Sequence, residues 1–406
     1  MNYPINKIRA DFPILQRQVN GKQLIYFDNG ATAHKPVSVI KAMEEVAYQY
    51  NSNIHRGVHT LSHLCTDAVE KSRKTVARFI GAKHDYEVIF TRGTTESINL
   101  VAFSFGETFL NENDEIIVSE MEHHSNIVPW QMLEKRKNIK LKVIPVLDDG
   151  ALDMEKFETL LNEKTKLIAI THVSNVLGTI NPVKEIIEKA HQRGIYVLID
   201  GAQAIQHIEL NVTDLDCDFY VFSAHKMYGP TGIGVLYGKE DLLNRMKPYQ
   251  GGGGMIHRVS FNGTTFNELP YKFEAGTPDF TGIIGLGAAV EYIENIGFVN
   301  IQNYEENLFR YAVSKMNELE DITFYGTTKH RSSLISFLQK GLHPFDTGTI
   351  LDKMGIAVRT GHHCAQPLME RFGIDGTVRA SFAMYNTCEE IDALIDGLIK
   401  VRKLFG

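Results

Sequence analysis

The sequence predicts an α/β protein with a large, doubly wound mixed-sheet domain and a smaller α+β domain. Two short runs of apolar, β-branched and aromatic residues, Tyr196–Asp200 and Phe219–Ser223, are bounded by turn residues and are typical of buried strands in a parallel sheet. Strand and helix patterns alternate through the first two-thirds of the chain. After about residue 290 the pattern changes to helices with fewer, separated strands, which predicts a domain boundary there.

Other elements follow from the same kind of pattern. A helix is predicted to open at Pro182 and to close at Gly194, and a last helix to begin at Thr387 with a capping box to Glu390. Further runs read as strands: Val88–Thr91, Glu115–Ser119, Leu141–Val146, Leu167–Val173 and Leu334–Leu338.

Composition limits the class of protein. The 406 residues include 43% apolar side chains, enough for a sizeable core. The net charge of -7 argues against a nucleic-acid-binding protein, which needs a basic stripe. No apolar run is long enough to span a bilayer, and the first residues lack the apolar core of a signal peptide. The four cysteines form no CxxC motif and no disulfide-like framework, so we expect a cytoplasmic protein.

Polar residues follow the two central strands at their carboxyl ends. The first strand ends in Asp200, with Gln203 just beyond it, and the second ends in Ser223, followed by His225 and Lys226. Ligands of open α/β sheets bind outside the carboxyl ends of the strands, so these groups should converge.

An aspartate and a lysine in such a place suit pyridoxal 5'-phosphate (PLP). The lysine amine of Lys226 would form a Schiff base with the cofactor aldehyde, and Asp200 would keep the pyridinium nitrogen protonated. The neighbouring serine and histidine can donate hydrogen bonds to the phosphate. The alternative, a solvated lysine and an aspartate in a turn, is disfavoured by the two strands and the Ser-x-His-Lys cluster.

These motifs resemble a known family. Asp200–Gln203 followed by Ser223–Pro230 resembles the class V aminotransferase-like PLP enzymes, and within them the cysteine desulfurases, which remove sulfur from L-cysteine. Arg359–Ala365, which reads Arg-Thr-Gly-His-His-Cys-Ala, is similar to the SUF-type (type II) subgroup. The likeness extends over nearly the whole chain, from about Asp28 to Asn386.

The resemblance implies the fold, the domains and the partners. It implies the PLP-dependent transferase fold (aspartate aminotransferase-like, fold type I), with a PLP-binding domain at 21–290. The smaller α+β domain would comprise 1–20 and 291–406 and would carry the cysteine loop. It also implies a homodimer and a small sulfur-acceptor protein of the SUF system, which serves iron–sulfur cluster assembly.

The turn Gly93-Thr94-Thr95 lies between a strand and a helix. A helix N-terminus with free N–H groups is a natural phosphate cradle, and the two threonine hydroxyls would add donors. The alternative role is plain helix capping by Thr94. By resemblance, His123 stacks on the pyridine ring and relays a proton, for which a planar ring with a pKa near neutrality is suited. Adjacent histidines do not converge on a metal without other ligands, so no metal is expected at His123 and His124.

The resemblance also implies residues for the substrate and for a partner subunit. Asn175 and Arg379 would bind the substrate carboxylate, since a guanidinium group binds a carboxylate with two hydrogen bonds. The alternative for Arg379 is a surface ion pair. We also place Arg359 and His55 with the substrate, and Thr277 at the phosphate of the partner subunit.

Cys364 is the residue on which the predicted function depends. A desulfurase needs a thiolate to attack the sulfur of bound cysteine, and His362, His363 and Arg359 would assist its ionisation in a glycine-containing loop. A zinc site is the rival reading, but it lacks a fourth ligand at the usual spacing. The remaining cysteines fit the role of buried, inert side chains: Cys65, Cys217 and Cys388.

The implied reaction gives each group one task. Lys226 would move the α-proton, Cys364 would take the sulfur as a persulfide, and alanine would leave. A selenocysteine lyase is the nearest alternative. An aminotransferase or a kynureninase-like enzyme of the same fold would not need Cys364. A noncatalytic sulfur carrier or scaffold would not need Lys226, Asp200 and the phosphate cradle together.

Overall fold

The computed structural model describes residues 3–405. Its strands, in chain order, are β1 (Gln18–Val19), β2 (Lys22–Gln23), β3 (Ile25–Tyr26), β4 (Val88–Thr91), β5 (Glu115–Ser119), β6 (Lys140–Ile144), β7 (Thr165–Thr171), β8 (Tyr196–Asp200), β9 (Phe219–Ser223), β10 (Gly234–Gly238), β11 (Ile256–Ser260), β12 (Gly263–Phe266), β13 (Ile322–Tyr325), β14 (Leu334–Gln339), β15 (Ile356–Ala357), β16 (Arg359–Gly361) and β17 (Thr377–Ser381).

The α-helices connect these strands and cover the sheets. They are α1 (Ile5–Ala10), α2 (Val37–Glu45), α3 (Thr60–Phe79), α4 (Thr94–Phe109), α5 (Val128–Lys137), α6 (Met154–Leu160), α7 (Val183–His191), α8 (Val212–Leu215), α9 (Glu240–Arg245), α10 (Phe280–Ile296), α11 (Phe298–Met316), α12 (Pro344–Lys353), α13 (Gln366–Phe372) and α14 (Cys388–Phe405).

A seven-stranded sheet forms the centre of the large unit, in the order β4-β10-β9-β8-β7-β5-β6. Strands β9, β8, β7, β5 and β6 are parallel, and β10 runs antiparallel to both of its neighbours. The mixed, doubly wound sheet confirms the predicted architecture. Strand β10 was not predicted, because its Gly-Val-Leu-Tyr-Gly run has only three residues with strand-forming side chains between two glycines.

The carboxyl ends of six strands lie at one edge of this sheet. Because β10 is antiparallel to both β4 and β9, those two strands point the same way, and Gly234 pairs with both Thr91 and Ser223. Strands β5, β6, β7 and β8 run in the same direction as β9. The segments that follow these strands therefore surround a common space.

The interior strands are apolar because helices cover both faces of the sheet. All five residues of β9 are buried, and so are the last four of β8. Both apolar runs were correctly predicted as strands, and the other predicted strands are present with ends that differ by at most two residues. The predicted capping box is also confirmed, because the Glu390 N–H donates to Thr387 Oγ1 and the Thr387 N–H donates to Glu390 Oε2.

A second, four-stranded antiparallel sheet follows, in the order β13-β14-β17-β16. The segment after β3 joins this sheet, because Asp28 forms a bridge with Ser381 at the end of β17. Near the N-terminus, the Tyr3 hydroxyl donates to the Met384 carbonyl, and Arg9 pairs with Glu390. The division at residue 290 stays a prediction.

Within residues 3–405 no single helix is long and apolar enough to cross a membrane. Helices α10 and α11 satisfy such a test only when they are taken together, and their axes meet at 77°.

Candidate active site

A cavity of about 210 Å³ lies at the carboxyl edge of the large sheet, beside the second sheet. It brings together most of the residues that the sequence analysis selected. These are Thr94, Thr95, His123, Asn175, Asp200, Gln203, Ser223, His225, Lys226, Arg359, Cys364 and Arg379.

Lys226 and Asp200 face this cavity from neighbouring strand ends. Burial, opposed by Asp200 and assisted by Arg379, lowers the pKa of Lys226 from its usual 10.5 to about 8. Burial raises the pKa of Asp200, against the effects of the Ala202 N–H and Lys226. A positively charged ligand group beside Asp200 would favour the carboxylate form of Asp200. With a pKa of about 8, part of the Lys226 population carries a neutral amine at neutral pH.

A glycine turn joins β4 to α4 at the edge of the cavity. Gly93, with a φ of 151°, is the N-cap residue, so Thr94 is the first helical residue and not the cap. The Thr94 N–H donates to Ser223 Oγ at 2.8 Å, and the two hydroxyls are 2.7 Å apart. The first turn of a helix leaves backbone N–H groups without partners inside the helix, which suits an anion.

His123 stands on the segment after β5. Its Nδ1 accepts a hydrogen bond from the Ser125 N–H at 3.1 Å, so its proton lies on Nε2. Burial, with Lys226 as the next cause, lowers the pKa of His123 to about 3, which keeps the ring neutral. The neutral, planar ring suits the predicted stacking role.

Cys364 lies in a turn after β16 and is partly exposed to the cavity. The His362 Nδ1 accepts a hydrogen bond from the Cys364 N–H at 3.1 Å, and the His363 Nε2 lies 2.9 Å from Thr377 Oγ1. The His362 ring therefore stabilises the backbone of the turn, and the His363 ring ties the turn to β17. Burial lowers the pKa of His363 to about 3.

Two guanidinium groups reach the cavity from the second sheet. Arg379 is 2% exposed, and its NH1 donates to the Asn175 carbonyl at 2.7 Å. The predicted alternative of a surface ion pair for Arg379 is wrong, because this side chain is buried. Asp28 accepts hydrogen bonds from Arg379 at 3.3 Å and from Arg359 at 3.2 Å.

Two of the selected residues do not reach this cavity within one chain. His55 and Thr277 line a second cavity of about 390 Å³ with Tyr271 and Glu274. The prediction of a buried side chain for Cys388 was wrong, since this residue is exposed at the start of α14, while Cys65 and Cys217 are buried. A helical pattern identifies an apolar face, and the first residue of a helix need not lie on it.

Asp28 and Gly30 were given no site role from the sequence, yet the fold places both beside Arg379. A Cβ on Gly30 would lie 3.2 Å from the Arg379 guanidinium and 3.2 Å from the Gln203 amide nitrogen. Both residues belong to the Asp28-Asn-Gly-Ala-Thr motif that marks one end of the resemblance. The motif was a signal that could have identified them.

The cavity fits PLP by the chemistry of its donors. Gln203 is 2% exposed, and within residues 3–405 neither of its amide atoms has a hydrogen-bond partner, so a polar group of a ligand would satisfy them. An amine, a carboxylate and a cradle of hydroxyl and N–H donors are arranged around it. In that same part of the chain, no group of three His, Cys, Asp or Glu side chains is placed to hold a metal ion.

Comparisons with known proteins agree with this chemistry. Residues 25–394 match the model of the class-V aminotransferase family. A cysteine desulfurase of Shigella sonnei (strain Ss046) is 53% identical over the full length of both chains. One of Pectobacterium atrosepticum is 51% identical, again over both full lengths.

Solved structures show the same fold. The cysteine desulfurase CsdA of Escherichia coli, in an S-sulfonic acid form, superposes with a TM-score of 0.92 at 38% identity and covers 100% of both chains. The apo cysteine desulfurase of Thermococcus onnurineus NA1 gives a TM-score of 0.94 at 42% identity over 100% of this chain and 99% of that one. These likenesses confirm the predicted fold type I of PLP-dependent transferases.

Proposed function

Because the chain belongs to the class-V aminotransferase family, we propose that it is a PLP-dependent cysteine desulfurase that converts L-cysteine to L-alanine. The observation that carries the proposal is that Lys226 and Cys364 line one cavity, together with Asp200. An aminotransferase would need the amine and the carboxylate, and it would have no use for a thiol there.

The residues for the cofactor follow from the donors around the cavity. Lys226 would bind the aldehyde, Asp200 the pyridinium nitrogen, and Gln203 the ring substituents, with His123 against the ring face. The phosphate would lie on the cradle formed by Thr94, Thr95, Ser223 and His225. When bound, PLP supplies an electron sink for the carbon atom that carries the substrate amine.

The chain's own groups would then complete the reaction. Arg379, Arg359 and Asn175 orient the substrate carboxylate, which directs the substrate sulfur towards the Cys364 turn. Lys226, with its pKa of about 8, takes and returns the substrate protons. Cys364 Sγ forms a bond to the substrate sulfur as the carbon–sulfur bond breaks. The products are a Cys364 persulfide and L-alanine, so L-cysteine and one thiol are consumed without an external oxidant.

A homodimer is part of this proposal. A second open space borders the outer side of the phosphate cradle, at Thr95 and His225. Thr277 of a second copy of the chain would fill that space and complete the phosphate cradle. His55 of that second copy would lie beside the mouth of the cavity that holds Lys226. The exposed apolar side chains of Val58 and Phe261, which are 95% and 113% exposed, support an interface.

The persulfide would pass to a small sulfur-acceptor protein of the SUF system for iron–sulfur cluster assembly in the cytoplasm. The basis for this step is the His362-His363-Cys364 turn, whose sequence is similar to the SUF-type subgroup.

The test measures alanine and persulfide from L-cysteine with the PLP-loaded protein. Lys226→Ala should lose turnover, and Cys364→Ala should keep the cofactor absorbance but form no persulfide. Cys388→Ala removes an exposed thiol and serves as the matched control. Persulfide on Cys65 or Cys388 in place of Cys364, or undiminished turnover without Lys226, would refute the proposal. L-Selenocysteine as a second substrate measures the preference between sulfur and selenium.

A further inference from the structure

The turn that carries Cys364 has a conformation that its own residues do not favour. His363 has a φ of 51° and Cys364 a φ of 57°, in the left-handed region that residues other than glycine rarely adopt. Two such residues in succession persist only where surrounding groups hold them. The contacts that hold this turn therefore decide where the thiol lies.

His124 makes two of these contacts from the large sheet. Its backbone N–H donates to the Cys364 carbonyl at 2.8 Å, and its Nε2 accepts a hydrogen bond from the Gln366 N–H at 3.2 Å. The two bonds lie on either side of Ala365 and tie the turn to the segment after β5. Asn175 adds a third contact, from its Nδ2 to the His363 carbonyl at 2.7 Å.

The imidazole of His124 acts here as an acceptor. An imidazole nitrogen accepts a hydrogen bond only when it carries no proton, so the bond to Gln366 requires the neutral ring with its proton on Nδ1. The rings of His123 and His362 face it at centroid distances of 6.2 Å and 5.7 Å. An amide oxygen of similar reach could replace this acceptor, whereas an alkyl side chain could not.

We propose that His124 is a positioning residue, which holds the Cys364 thiol at the cavity through its hydrogen bond from Gln366. The proposal deepens the proposed desulfurase function and rests on the role of Cys364 in it. His124 touches neither the substrate nor the cofactor in this assignment, and it acts only through the turn.

The experiment compares His124→Leu with His124→Gln in the PLP-loaded protein. Without the acceptor the thiol spends less time at the substrate sulfur, so kcat for alanine and persulfide formation should fall by about tenfold while KM stays within about twofold. The released turn should also expose the thiol, so iodoacetamide should alkylate Cys364 faster, as located by mass spectrometry. His124→Gln should restore both values towards wild type.

Two controls separate the possible failures. His330→Leu removes an exposed histidine whose side chain makes no described hydrogen bond within residues 3–405, and it should leave kcat and alkylation unchanged. Equal kcat and alkylation in His124→Leu and wild type would overturn the positioning role, as would a His124→Gln variant as impaired as His124→Leu. If Cys364→Ala still forms persulfide at the wild-type rate, the proposed function fails, and this inference fails with it.

Discussion

Arg359 and Arg379 lie directly opposite each other on the antiparallel strands β16 and β17. Like charges in such a pair repel each other. The carboxylate of Asp28 accepts a hydrogen bond from each guanidinium group, at 3.2 Å and 3.3 Å. The negative charge of Asp28 thus offsets the repulsion between the two guanidinium groups. The Arg379 side chain is only 2% exposed, so water screens its charge little.

Replacing Asp28 should weaken substrate binding. In Asp28→Ala the two guanidinium groups lose their shared acceptor and move apart, so the substrate carboxylate meets a less ordered site. A charged hydrogen bond of about 1.4 kcal/mol corresponds to about a tenfold rise in KM for L-cysteine, with a smaller change in kcat. Steady-state alanine formation measures both constants.

Asp148→Ala is the matched control for this change. Asp148 also pairs with an arginine, Arg371 at 2.7 Å, but its side chain is 97% exposed. Its removal should leave KM unchanged, as exposed ion pairs contribute little. A KM for Asp28→Ala that equals or falls below the wild-type value would show that Asp28 does not order the two arginines.

Attachment of PLP to the cofactor-free protein should depend on pH through Lys226. Only the neutral amine reacts with an aldehyde, and burial lowers the pKa of Lys226 from 10.5 to about 8. At pH 7 about one-tenth of this amine is neutral, against about one part in three thousand for an ordinary lysine. The rate of attachment, followed by absorbance, should therefore rise as the pH rises towards about 8 and level off above it. A rate that keeps rising tenfold per pH unit beyond pH 9 would contradict the lowered pKa.

The residues at the strand ends were predictable because their position depends on local pattern. Two apolar runs followed by polar residues place Asp200 and Lys226 at one edge of a parallel sheet, whatever the rest of the fold does. The contacts of Asp28 with Arg359 and Arg379 join residues more than 300 positions apart, and no local pattern encodes them. The contact of His124 with the Cys364 turn has the same character.

Gly201 should tolerate no side chain, because Tyr220 occupies the space beside it. A Cβ at this position would overlap the Tyr220 ring, whose hydroxyl lies 3.0 Å from His172 Nδ1 in a buried pair. Gly201→Ala should lower the free energy of unfolding by about 1–3 kcal/mol through overpacking and should weaken retention of PLP beside Asp200. Gly251→Ala, which meets open space, is the control and should change neither quantity. Normal stability and PLP retention in Gly201→Ala would mean that the Tyr220 ring moves aside without cost.

Arg73 should contribute far more to stability than Arg78, although both form ion pairs with two hydrogen bonds. Arg73 is 1% exposed and binds both oxygens of Glu274, at 2.8 Å and 2.9 Å, and Glu274 also accepts from the Phe90 N–H at 2.8 Å. Arg73→Met leaves a buried carboxylate without its cation and should cost about 3–5 kcal/mol. Arg78→Met breaks an exposed pair with Glu294 and should cost at most about 1 kcal/mol.

Urea denaturation of the two variants measures this difference directly. Glu274 begins the segment that carries Thr277, and Arg73 holds Glu274 in place. If this segment completes the phosphate cradle of a second chain, Arg73→Met should also weaken PLP binding. Arg78→Met should leave PLP binding unchanged. A pair of variants with equal stability would show that the Arg73–Glu274 pair does not anchor the segment.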